Sequence, residues 1–590
     1  MTYDLVIRGG TVVDGTRLPR LRADVGITDG KVAKIGRIGP GEGAKELDAT
    51  GLVVAPGFVD LHTHYDAQIH WDPYCTVSGW HGVTSLVLGN CGFGFAPVKP
   101  QERDRALLMM TRTEQIPFNT MKAGMPWAWE TFPEWLDNLQ RIPKGVNCVS
   151  YVPVSPLMVY VMGMEAAKSR PATPAEQREM QRLLHEAMDA GACGFSVQRL
   201  GANSLQADHD GTPMPTDCMA DEDVLVLADV LCERDEGFIQ ITQAQAGNPV
   251  TASPEEIAKD KQFLETLAER SQRPVLHNAI AVVDAYPDSH KKSIEWLHDC
   301  NARGLRIYGQ GATGRIWFEY TFEDWNLYDF SPPWNHATQG THEEKLAKLS
   351  DPAIRQAMKD DYPNFMTVGT GGALETITVK EAEGNLAGYV GRTIGEIAET
   401  EGKHVVDAIL DIAVAGDLKP LFKTDSAGPS LTNPKAVSEM ISDPYMMAGV
   451  SDGGAHTKFF SAGSYTTDLL IWLVRESQTL SLEEAHYHLS YLPAQAAGFL
   501  DRGYLRAGAP ADIVVYDLEN LKIVPEGGHE VVQDYPAGEW RRVQKAEGYR
   551  FILVNGEVTF EDGEATGATP GQLLRNREIA ETTLGLAAGG

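Results

Sequence analysis

Two histidines separated by one residue, His62 and His64, are the residues of this sequence best placed to do chemistry. They form a His-Thr-His segment directly after the apolar stretch 53–59. In an extended strand, side chains two residues apart point to the same face, so both imidazoles could bind one ion. Neutral imidazole suits zinc and similar transition metals. Taken alone, the pair is equally compatible with two polar strand residues that bind no metal.

The elements that would carry these residues alternate between strands and helices, the order that a parallel α/β barrel requires. Short apolar β-type runs predict eight strands, at residues 57–64, 83–90, 146–154, 191–197, 237–243, 273–280, 305–310 and 447–452. Helical patterns at 174–190 and 254–270 each begin after a Thr-Pro or Ser-Pro cap. We therefore expect a TIM-like (β/α)8 barrel within residues 57–500.

The active site of such a barrel lies where the strands reach their C-terminal ends. The residues of ligand or catalytic type at those positions are His62, His64, Cys91, Gln243, His277 and Asp452. Each has an ordinary alternative, because a free cysteine is often a small core residue and a single histidine is often only hydrogen-bonded. Their convergence at one end of the predicted barrel favours a metal or catalytic site over coincidence.

Both ends of the chain show a different pattern, in which short β-type runs are separated by Asp-Gly or Asn-Gly hairpin signals. This pattern covers residues 1–56 and 501–565. Because an exposed sheet edge must be paired or covered, we expect the C-terminal strands to complete the N-terminal ones in one composite β domain. The tail, 566–590, is rich in Gly, Ala and Thr, and we expect it to be flexible or to contact another subunit in a homo-oligomer.

The connection 311–446, between the last two predicted strands, is long enough to form a separate unit. Insertions of this length usually carry function. It contains the aromatic run 317–325 and helical patterns at 343–349, 352–359 and 393–411. We interpret it as a lid or a substrate-enclosing subdomain. The alternative is a segment that only packs against the outside of the barrel.

The composition excludes several classes of partner. The chain of 590 residues has 51 basic and 81 acidic residues, a net charge of −30. This charge repels nucleic-acid phosphates and anionic lipid head groups, so we expect neither nucleic acid nor a membrane as a partner. No stretch approaches the roughly 20 apolar residues of a membrane span, and the first residues lack the pattern of a signal peptide. Seven scattered cysteines argue against a disulfide framework, so we expect a cytoplasmic protein.

Several longer motifs resemble those of the amidohydrolase superfamily, in particular its N-acyl-D-amino-acid deacylase (D-aminoacylase) branch. They are Val54-Ala-Pro-Gly-Phe-Val-Asp-Leu-His-Thr-His-Tyr-Asp, Gly89-Asn-Cys-Gly-Phe-Gly-Phe-Ala-Pro97, Val450-Ser-Asp-Gly, Ser481-Leu-Glu-Glu-Ala, Leu492-Pro-Ala-Gln-Ala and Asp501-Arg-Gly-Tyr-Leu-Arg-Ala-Gly-Ala-Pro-Ala-Asp. The resemblance covers nearly the whole chain. It implies a distorted barrel with a small composite β-sandwich domain, and zinc-dependent hydrolysis of an amide C–N bond in a small molecule.

The resemblance also implies roles for individual residues. The metal ligands would be His62, His64, Cys91 as a thiolate, and His277. Asp452 would be the general base and acid, taking a proton from metal-activated water and passing it to the leaving nitrogen.

One departure from the family pattern affects the number of metal ions. Where the deacylases carry a histidine on the fifth strand, this chain has Gln243, whose neutral oxygen is poorly matched to zinc. Gln243 is thus a doubtful ligand or a hydrogen-bonding partner of one. One zinc ion on His62, His64 and Asp452, with Cys91 or His277 as a further ligand, is favoured over two.

A second departure affects substrate recognition. The family's His-His-Lys after the sixth strand reads His-Asn-Ala at 277–279, and its His-Pro-Arg after the eighth reads His-Thr-Lys at 456–458. We predict His456 and Lys458 as substrate-binding residues. Lysine lacks the bidentate fork with which arginine grips a carboxylate. We therefore expect an amide substrate without a free D-amino-acid carboxylate, or one whose carboxylate is held differently.

Two other functions stay open at this stage. The enzyme could hydrolyse a cyclic amide, a lactone or a bulky xenobiotic amide, a possibility favoured by the aromatic run in the insertion. Alternatively, Gln243 is consistent with a barrel that has lost catalysis and serves in binding or assembly.

Overall fold

Parallel strands occupy the centre of the fold. The computed structural model describes residues 2–202, 204–244, 252–284, 286–367, 369–424 and 431–575. Every segment predicted as a barrel strand overlaps an observed strand. The observed bounds are Phe58–Asp60, Val83–Leu88, Asn147–Ser150 followed by Val152–Pro153, Gly194–Arg199, Phe238–Gln243, Val275–Ile280, Ile307–Ala312 and Met446–Gly449.

The parallel strands form two sheets in which neighbours in space are also neighbours in sequence. The first sheet holds the strands from Phe58–Asp60 to Asn147–Ser150, and the second runs from Val152–Pro153 to Met446–Gly449. Only Tyr151 separates the sheets along the chain. At the opposite edges, a parallel bridge pairs Thr63 with Gly453. Apolar side chains from both sheets pack together in one buried cluster, which includes Val59, Val87, Val149, Phe238, Leu276 and Met447.

Helices connect the strands and surround them. Their bounds in the described residues are Arg103–Thr113, Phe118–Gly124, Phe132–Arg141, Val154–Met162, Met164–Ser169, Pro174–Asp189, Asp221–Arg234, Pro254–Ser271, Ser289–Ala302, Pro332–Thr338, His342–Ser350, Pro352–Asp361, Ile394–Glu401, Val405–Ala415, Pro434–Ile441, Tyr465–Leu469, Leu482–His486 and Leu492–Ala496. None of the helices in these ranges has the length and apolar character needed to cross a bilayer.

Capping explains where the long helices begin. The Thr173 hydroxyl accepts a hydrogen bond from the backbone N–H of Glu176, and the Glu176 carboxylate accepts one from the backbone N–H of Thr173. Ser253 and Glu256 form the same reciprocal pair at the start of the other helix. Both helices therefore start where the Thr-Pro and Ser-Pro signals predicted. In contrast, the helix predicted over 393–411 is wrong, because Gly402 adopts a left-handed φ of 64° and ends the first of two helices there.

Strands from both chain ends lie in one nine-stranded sheet. Its order is Glu564–Ala565, Glu557–Glu561, Tyr549–Val554, Ile513–Tyr516, Val53–Pro56, Tyr3–Val12, Leu21–Thr28 and Lys31–Gly36, with Gly43–Asp48 paired to Tyr3–Val12. The two ends meet where Ile513–Tyr516 runs antiparallel to Val53–Pro56. Two short hairpin-like pairs complete the C-terminal part, Lys522–Val524 with Lys545–Glu547 and Glu530–Val532 with Arg541–Val543.

The beginning of the tail is ordered against the barrel strands. The backbone N–H of Leu574 donates to the carbonyl of Cys148, and Cys148 donates to the carbonyl of Gln572. Residues 566–575 therefore do not fit the expected flexible tail. The remainder of the predicted tail, 576–590, lies outside the described residues.

The insertion after Ile307–Ala312 has its own small sheet and its own core. The sheet pairs Glu319–Tyr320, Leu421–Lys423 and Thr378–Glu381. The Tyr320 and Trp325 rings are stacked with centroids 3.8 Å apart inside a mainly aromatic and aliphatic cluster. Most of the aromatic run thus stabilises the insertion itself, which is its usual role.

A buried ion pair joins the composite sheet to the parallel strands. The Arg502 guanidinium donates to Asp512 at 2.7 Å, and both side chains are nearly inaccessible to solvent. Asp512 also accepts from the Asn147 amide at 3.0 Å and from the backbone of Asn555 at 2.7 Å. Asn147 begins one of the parallel strands, so this carboxylate joins the two parts of the fold.

Arg502→Met should lower the free energy of unfolding by about 3–5 kcal/mol, because it leaves the buried Asp512 without its counter-charge. The matched control is Arg550→Met, which breaks an exposed pair with Asp562 on the same sheet. The control should cost less than about 1 kcal/mol. Denaturant unfolding of both variants measures the difference, and equal losses would show that Asp512 does not depend on Arg502.

Candidate metal centre

The two histidines of the His-x-His segment lie side by side beyond the end of the Phe58–Asp60 strand. Both are buried, with ring centroids 5.7 Å apart. The backbone N–H of His64 donates to the Gly453 carbonyl at 2.7 Å, and the Ser451 hydroxyl donates to the His62 carbonyl at 2.7 Å. The segment is therefore fixed between neighbouring strands, and the predicted proximity of the two imidazoles is present.

Cys91 meets these histidines from the next connection. It lies in the Asn90–Gly92 turn with a left-handed φ of 56°, and its Sγ is 3.3 Å from His62 Nε2. The ligand atoms of Cys91, His62 and His64 all lie within 4.8 Å of one another. Burial opposes the charged forms, but the mutual attraction of Cys91 and His62 lowers the pKa of the thiol to about 6 and raises the pKa of His62 to about 10.

Asp452 completes the group from the end of the last parallel strand. Its Oδ1 is 3.1 Å from His62 Nε2 and 3.7 Å from His64 Nε2. Burial raises the pKa of Asp452, but its contacts with His62 and His64 outweigh burial and hold the pKa well below its usual value. The two imidazoles therefore favour the ionised form of this carboxylate.

Glu114, which the sequence did not predict as a site residue, lies beside the same histidines. It follows the helix Arg103–Thr113, and its Oε1 is 3.9 Å from His64 Nε2 while its Oε2 is 3.8 Å from His456 Nε2. Its side chain is fully buried. One signal was available, because an acidic residue at the C-terminal end of a helix opposes the helix dipole and needs another reason to be there.

The two predicted substrate-binding residues have different surroundings. His456 is at the site, stacked on Phe459 with ring centroids 5.4 Å apart and facing Glu114. The Lys458 ammonium instead donates to Glu539 at 3.0 Å and to the Trp540 carbonyl at 2.8 Å. Lys458 is thus occupied by the C-terminal part of the chain, and its prediction as a substrate contact is not supported.

The predicted ligands Gln243 and His277 lie on the opposite face of their strands. Gln243 donates to Asp260 on the helix Pro254–Ser271 at 2.8 Å. His277 packs edge-on against Trp296 of the next helix, with ring centroids 6.1 Å apart. Because strand side chains alternate between faces, a shift of one residue turns a side chain away from the site. Neither Gln243 nor His277 therefore points toward the two histidines, and the prediction of both as metal ligands is wrong.

Thr242 and Asn278 take the inward positions on those two strands. The Thr242 hydroxyl is 3.4 Å from Cys91 Sγ and donates to Asn278 Oδ1 at 3.1 Å. The Gln240 amide donates to the same Asn278 oxygen at 2.8 Å and accepts the backbone N–H of Cys91 at 2.7 Å. A hydroxyl and an amide thus stand where the family resemblance implied histidines.

Residues of the site adopt backbone conformations that side-chain-bearing residues rarely adopt. Left-handed φ values occur at Cys91 (56°), Val450 (56°), Asp452 (49°) and His456 (53°). For a β-branched residue such as Val450 this conformation is an outlier. Strained backbone of this kind clusters at functional sites, where the surrounding structure holds it in place.

The donor set fits a divalent metal. The separations of 3.1–3.7 Å between Asp452 and the two imidazoles are those of groups that share an ion with bonds of about 2.0–2.2 Å. Both oxygens of Glu114 have no hydrogen-bond partner among the described residues. His62 is oriented by Gln310, whose oxygen is 3.5 Å from its Nδ1. Such support from behind is usual for metal-binding histidines.

A cavity of about 450 Å³ lies between the insertion and the C-terminal strands, and Val450 and Ser451 line it, whereas His62, His64, Cys91 and Asp452 are not among its lining residues. Trp317 and Tyr465 line it as well. Its cationic side chains are all engaged: Arg315 pairs with Asp468 and Glu476, Arg475 donates to backbone carbonyls of 518–521, and Lys522 pairs with Glu547.

Comparisons with known proteins show which proteins this chain is similar to. Relatives from Alcaligenes xylosoxydans xylosoxydans include an N-acyl-D-aspartate deacylase, 27% identical over 97% of this chain and 95% of the relative, and an N-acyl-D-glutamate deacylase, 27% identical over 97% and 96%. Among solved structures, a D-aminoacylase superposes with a TM-score of 0.64 at 21% identity, covering 97% of this chain and all of the other. The N-acyl-D-glutamate deacylase of Bordetella bronchiseptica, complexed with zinc and a phosphonate inhibitor, gives 0.63 at 22% identity, covering 98% and 100%.

The structural matches share the fold over nearly their whole length. A model of the amidohydrolase family matches residues 45–560, which includes the composite sheet strand Val53–Pro56, the parallel strands and the insertion. The chain therefore belongs to the amidohydrolase family.

Proposed function

We propose that this amidohydrolase hydrolyses linear amides of small molecules with one divalent metal held by His62, His64 and Asp452, with Cys91 as a further ligand. The observation that carries this proposal is the meeting of two imidazoles, a thiol and a carboxylate at the C-terminal ends of parallel strands, within 3.1–3.7 Å of their neighbours. This is where α/β barrels carry their active sites. Zinc is the proposed ion, since imidazole and thiolate are its preferred ligands.

One metal is favoured over two because of the residues opposite the histidines. A second zinc would need soft or basic ligands on the strands Phe238–Gln243 and Val275–Ile280. Their inward residues, Thr242 and Asn278, hydrogen-bond to each other. A solved D-aminoacylase has a binuclear centre with one-metal activation and second-metal attenuation, so hydrolysis with one metal has a precedent among structural neighbours.

Different residues of the site have different roles in the proposed amide hydrolysis. When bound, a divalent metal would polarise the substrate carbonyl and lower the pKa of water. Asp452 Oδ1 faces His62, which leaves Oδ2 to take a proton from the attacking water and return it to the leaving nitrogen. Gln310 and Ser451 hold His62 in the orientation that this arrangement needs.

The proposed substrate is an acyl amide that lacks a free carboxylate next to the scissile bond. Lys458 is engaged by Glu539, and the cations lining the cavity are engaged by acidic side chains or backbone carbonyls. A substrate carboxylate would have to displace one of these partners, which costs the interaction that it replaces. A cyclic or bulky aryl amide is the second candidate, because Trp317 and Tyr465 line the cavity.

We also propose that the parallel strands close into a distorted barrel over residues 57–500, with residues 1–56 and 501–565 forming a β-sandwich domain. The Thr63–Gly453 bridge supports closure. On the composite sheet, Ile513 belongs to a separate apolar cluster, whereas the adjacent Val514 packs into the cluster around the barrel helices. A cytoplasmic location and a homo-oligomer stay predictions.

His62→Ala should lower the bound metal to a small fraction of one equivalent, because it removes a ligand that no neighbour can replace. His277→Ala is the matched control, since its ring lies against Trp296 on the other face of its strand. That variant should keep its metal. Elemental analysis of both purified proteins measures the difference, and metal loss in His277→Ala alone would mean that His277 faces the site.

Asp452→Asn should lower the turnover per bound metal by about 10²–10⁴-fold, the usual contribution of a general base, and should also weaken metal binding, because a neutral amide replaces a charged ligand. The amide keeps an oxygen toward His62 but cannot accept the proton. Parallel measurements of turnover and metal content separate the two roles. Activity near that of the wild type would remove Asp452 from the mechanism.

Substrate choice follows from the engaged cations. We expect higher kcat/KM for neutral N-acyl amides than for N-acyl-D-amino acids that share the same acyl group. A steady-state panel that also contains cyclic and aryl amides makes this comparison. Equal or faster hydrolysis of the free D-amino-acid derivatives would show that a carboxylate partner exists.

A further inference from the structure

Glu114 is a buried carboxylate whose hydrogen-bonding capacity is unused. Its side chain is fully buried, and neither oxygen has a hydrogen-bond partner among the described residues. Its nearest cationic-type neighbours, His64 and His456, lie at 3.9 and 3.8 Å, which is too far for a hydrogen bond. Burying an ionised carboxylate is costly unless a counter-charge or a metal compensates it.

The backbone fixes this carboxylate at the site. The N–H of His456 donates to the Glu114 carbonyl at 2.5 Å, and the Thr457 hydroxyl donates to the Gln115 carbonyl at 2.6 Å. Gln115 itself has a left-handed φ of 53°. The loop that follows Asp452 therefore binds the 114–115 segment directly, and the position of Glu114 is coupled to that of Asp452.

We propose that Glu114 is a ligand of the metal held by His62 and His64, supplied by the connection after Arg103–Thr113 and not by a barrel strand. This inference depends on the metal centre proposed above. Two donors with bonds of about 2.1 Å to a tetrahedral ion lie about 3.4 Å apart, so a movement of roughly 0.5 Å would bring Glu114 Oε1, now 3.9 Å from His64 Nε2, to that separation. Carboxylate oxygen is an ordinary zinc ligand beside imidazole.

Three anionic-type groups then surround one cation. Cys91, Asp452 and Glu114 approach the two imidazoles from three separate connections of the chain. The competing interpretation is that Glu114 only pairs with His456 and does not contact the metal. The two interpretations differ in what removal of the charge does to the metal-free protein.

The test compares Glu114→Gln, His456→Gln and the wild type in three measurements: zinc affinity by competition with a chelating dye, the visible spectrum of the Co²⁺-substituted protein, and thermal unfolding of the metal-free protein. Glu114→Gln should weaken zinc binding by more than about 100-fold, above the 10–100-fold typical of residues that only support a ligand. Its Co²⁺ spectrum should change, and the metal-free variant should be at least as stable as the wild type, because an amide replaces a buried carboxyl group that has no hydrogen-bond partner among the described residues.

Asp104→Asn, an exposed substitution on the same helix, is the matched control and should change none of the three measurements. The proposal is overturned if Glu114→Gln binds zinc within about threefold of the wild type and its metal-free form melts lower, as loss of a pair with His456 would produce. It is also overturned if its Co²⁺ spectrum and affinity match those of His456→Gln. If the wild type itself binds no stoichiometric metal and His62→Ala behaves identically, the proposed metal centre fails together with this inference.

Discussion

The structure depends on one electrostatic constraint: Cys91, Asp452 and Glu114 are gathered around His62 and His64 at a largely buried point. Each ionised group removed from water costs several kcal/mol unless it is compensated. The two imidazoles cannot compensate three anionic groups and also act as neutral ligands. A divalent cation does both at once, because it balances the charge and uses the imidazole lone pairs. The arrangement is therefore that of a cation site.

The fold delivers these groups with two kinds of element that have different mechanical properties. Parallel strands bring His62 and His64 to a common edge through a ladder of backbone hydrogen bonds. The anionic groups come from connections, and left-handed φ occurs at Cys91 and Asp452 and at Gln115, the residue after Glu114. Strain of about 1–3 kcal/mol per residue persists only where the surroundings over-determine it. Here the surroundings are the bonds between the 452–457 and 114–115 segments, which make each connection hold the other.

The position of a site residue can be predicted from the sequence where the order of strands along the chain determines it. His62, His64, Cys91 and Asp452 come directly after apolar strands, and parallel strands must share one carboxyl edge, so their meeting follows from the order of elements. The face of a strand is harder to read. On Val275–Ile280 the buried inward residue is Leu276, which puts His277 outside and Asn278 inside, and two successive polar residues do not show from the sequence which of them faces inward. Glu114 reaches the site through a tertiary contact between distant connections; its position at the C-terminal end of a helix is unusual for an acidic residue but does not show what it contacts.

The physical argument for the proposed single metal therefore differs from the one that the sequence suggested. Gln243 points at a helix and takes no part, so the absence of a ligand at that position does not decide the number of ions. The proposal of one ion is supported instead by a difference between the polar groups on the two sides of His62 and His64. On the side of Thr242 and Asn278, the polar side chains form hydrogen bonds with one another, so these residues do not require a cation. On the side of Glu114, two carboxylate oxygens have no donor among the described residues. The carboxylate without a partner lies on the Glu114 side. We therefore expect an ion at His62 and His64 to lie closer to Glu114 than to the strands Phe238–Gln243 and Val275–Ile280.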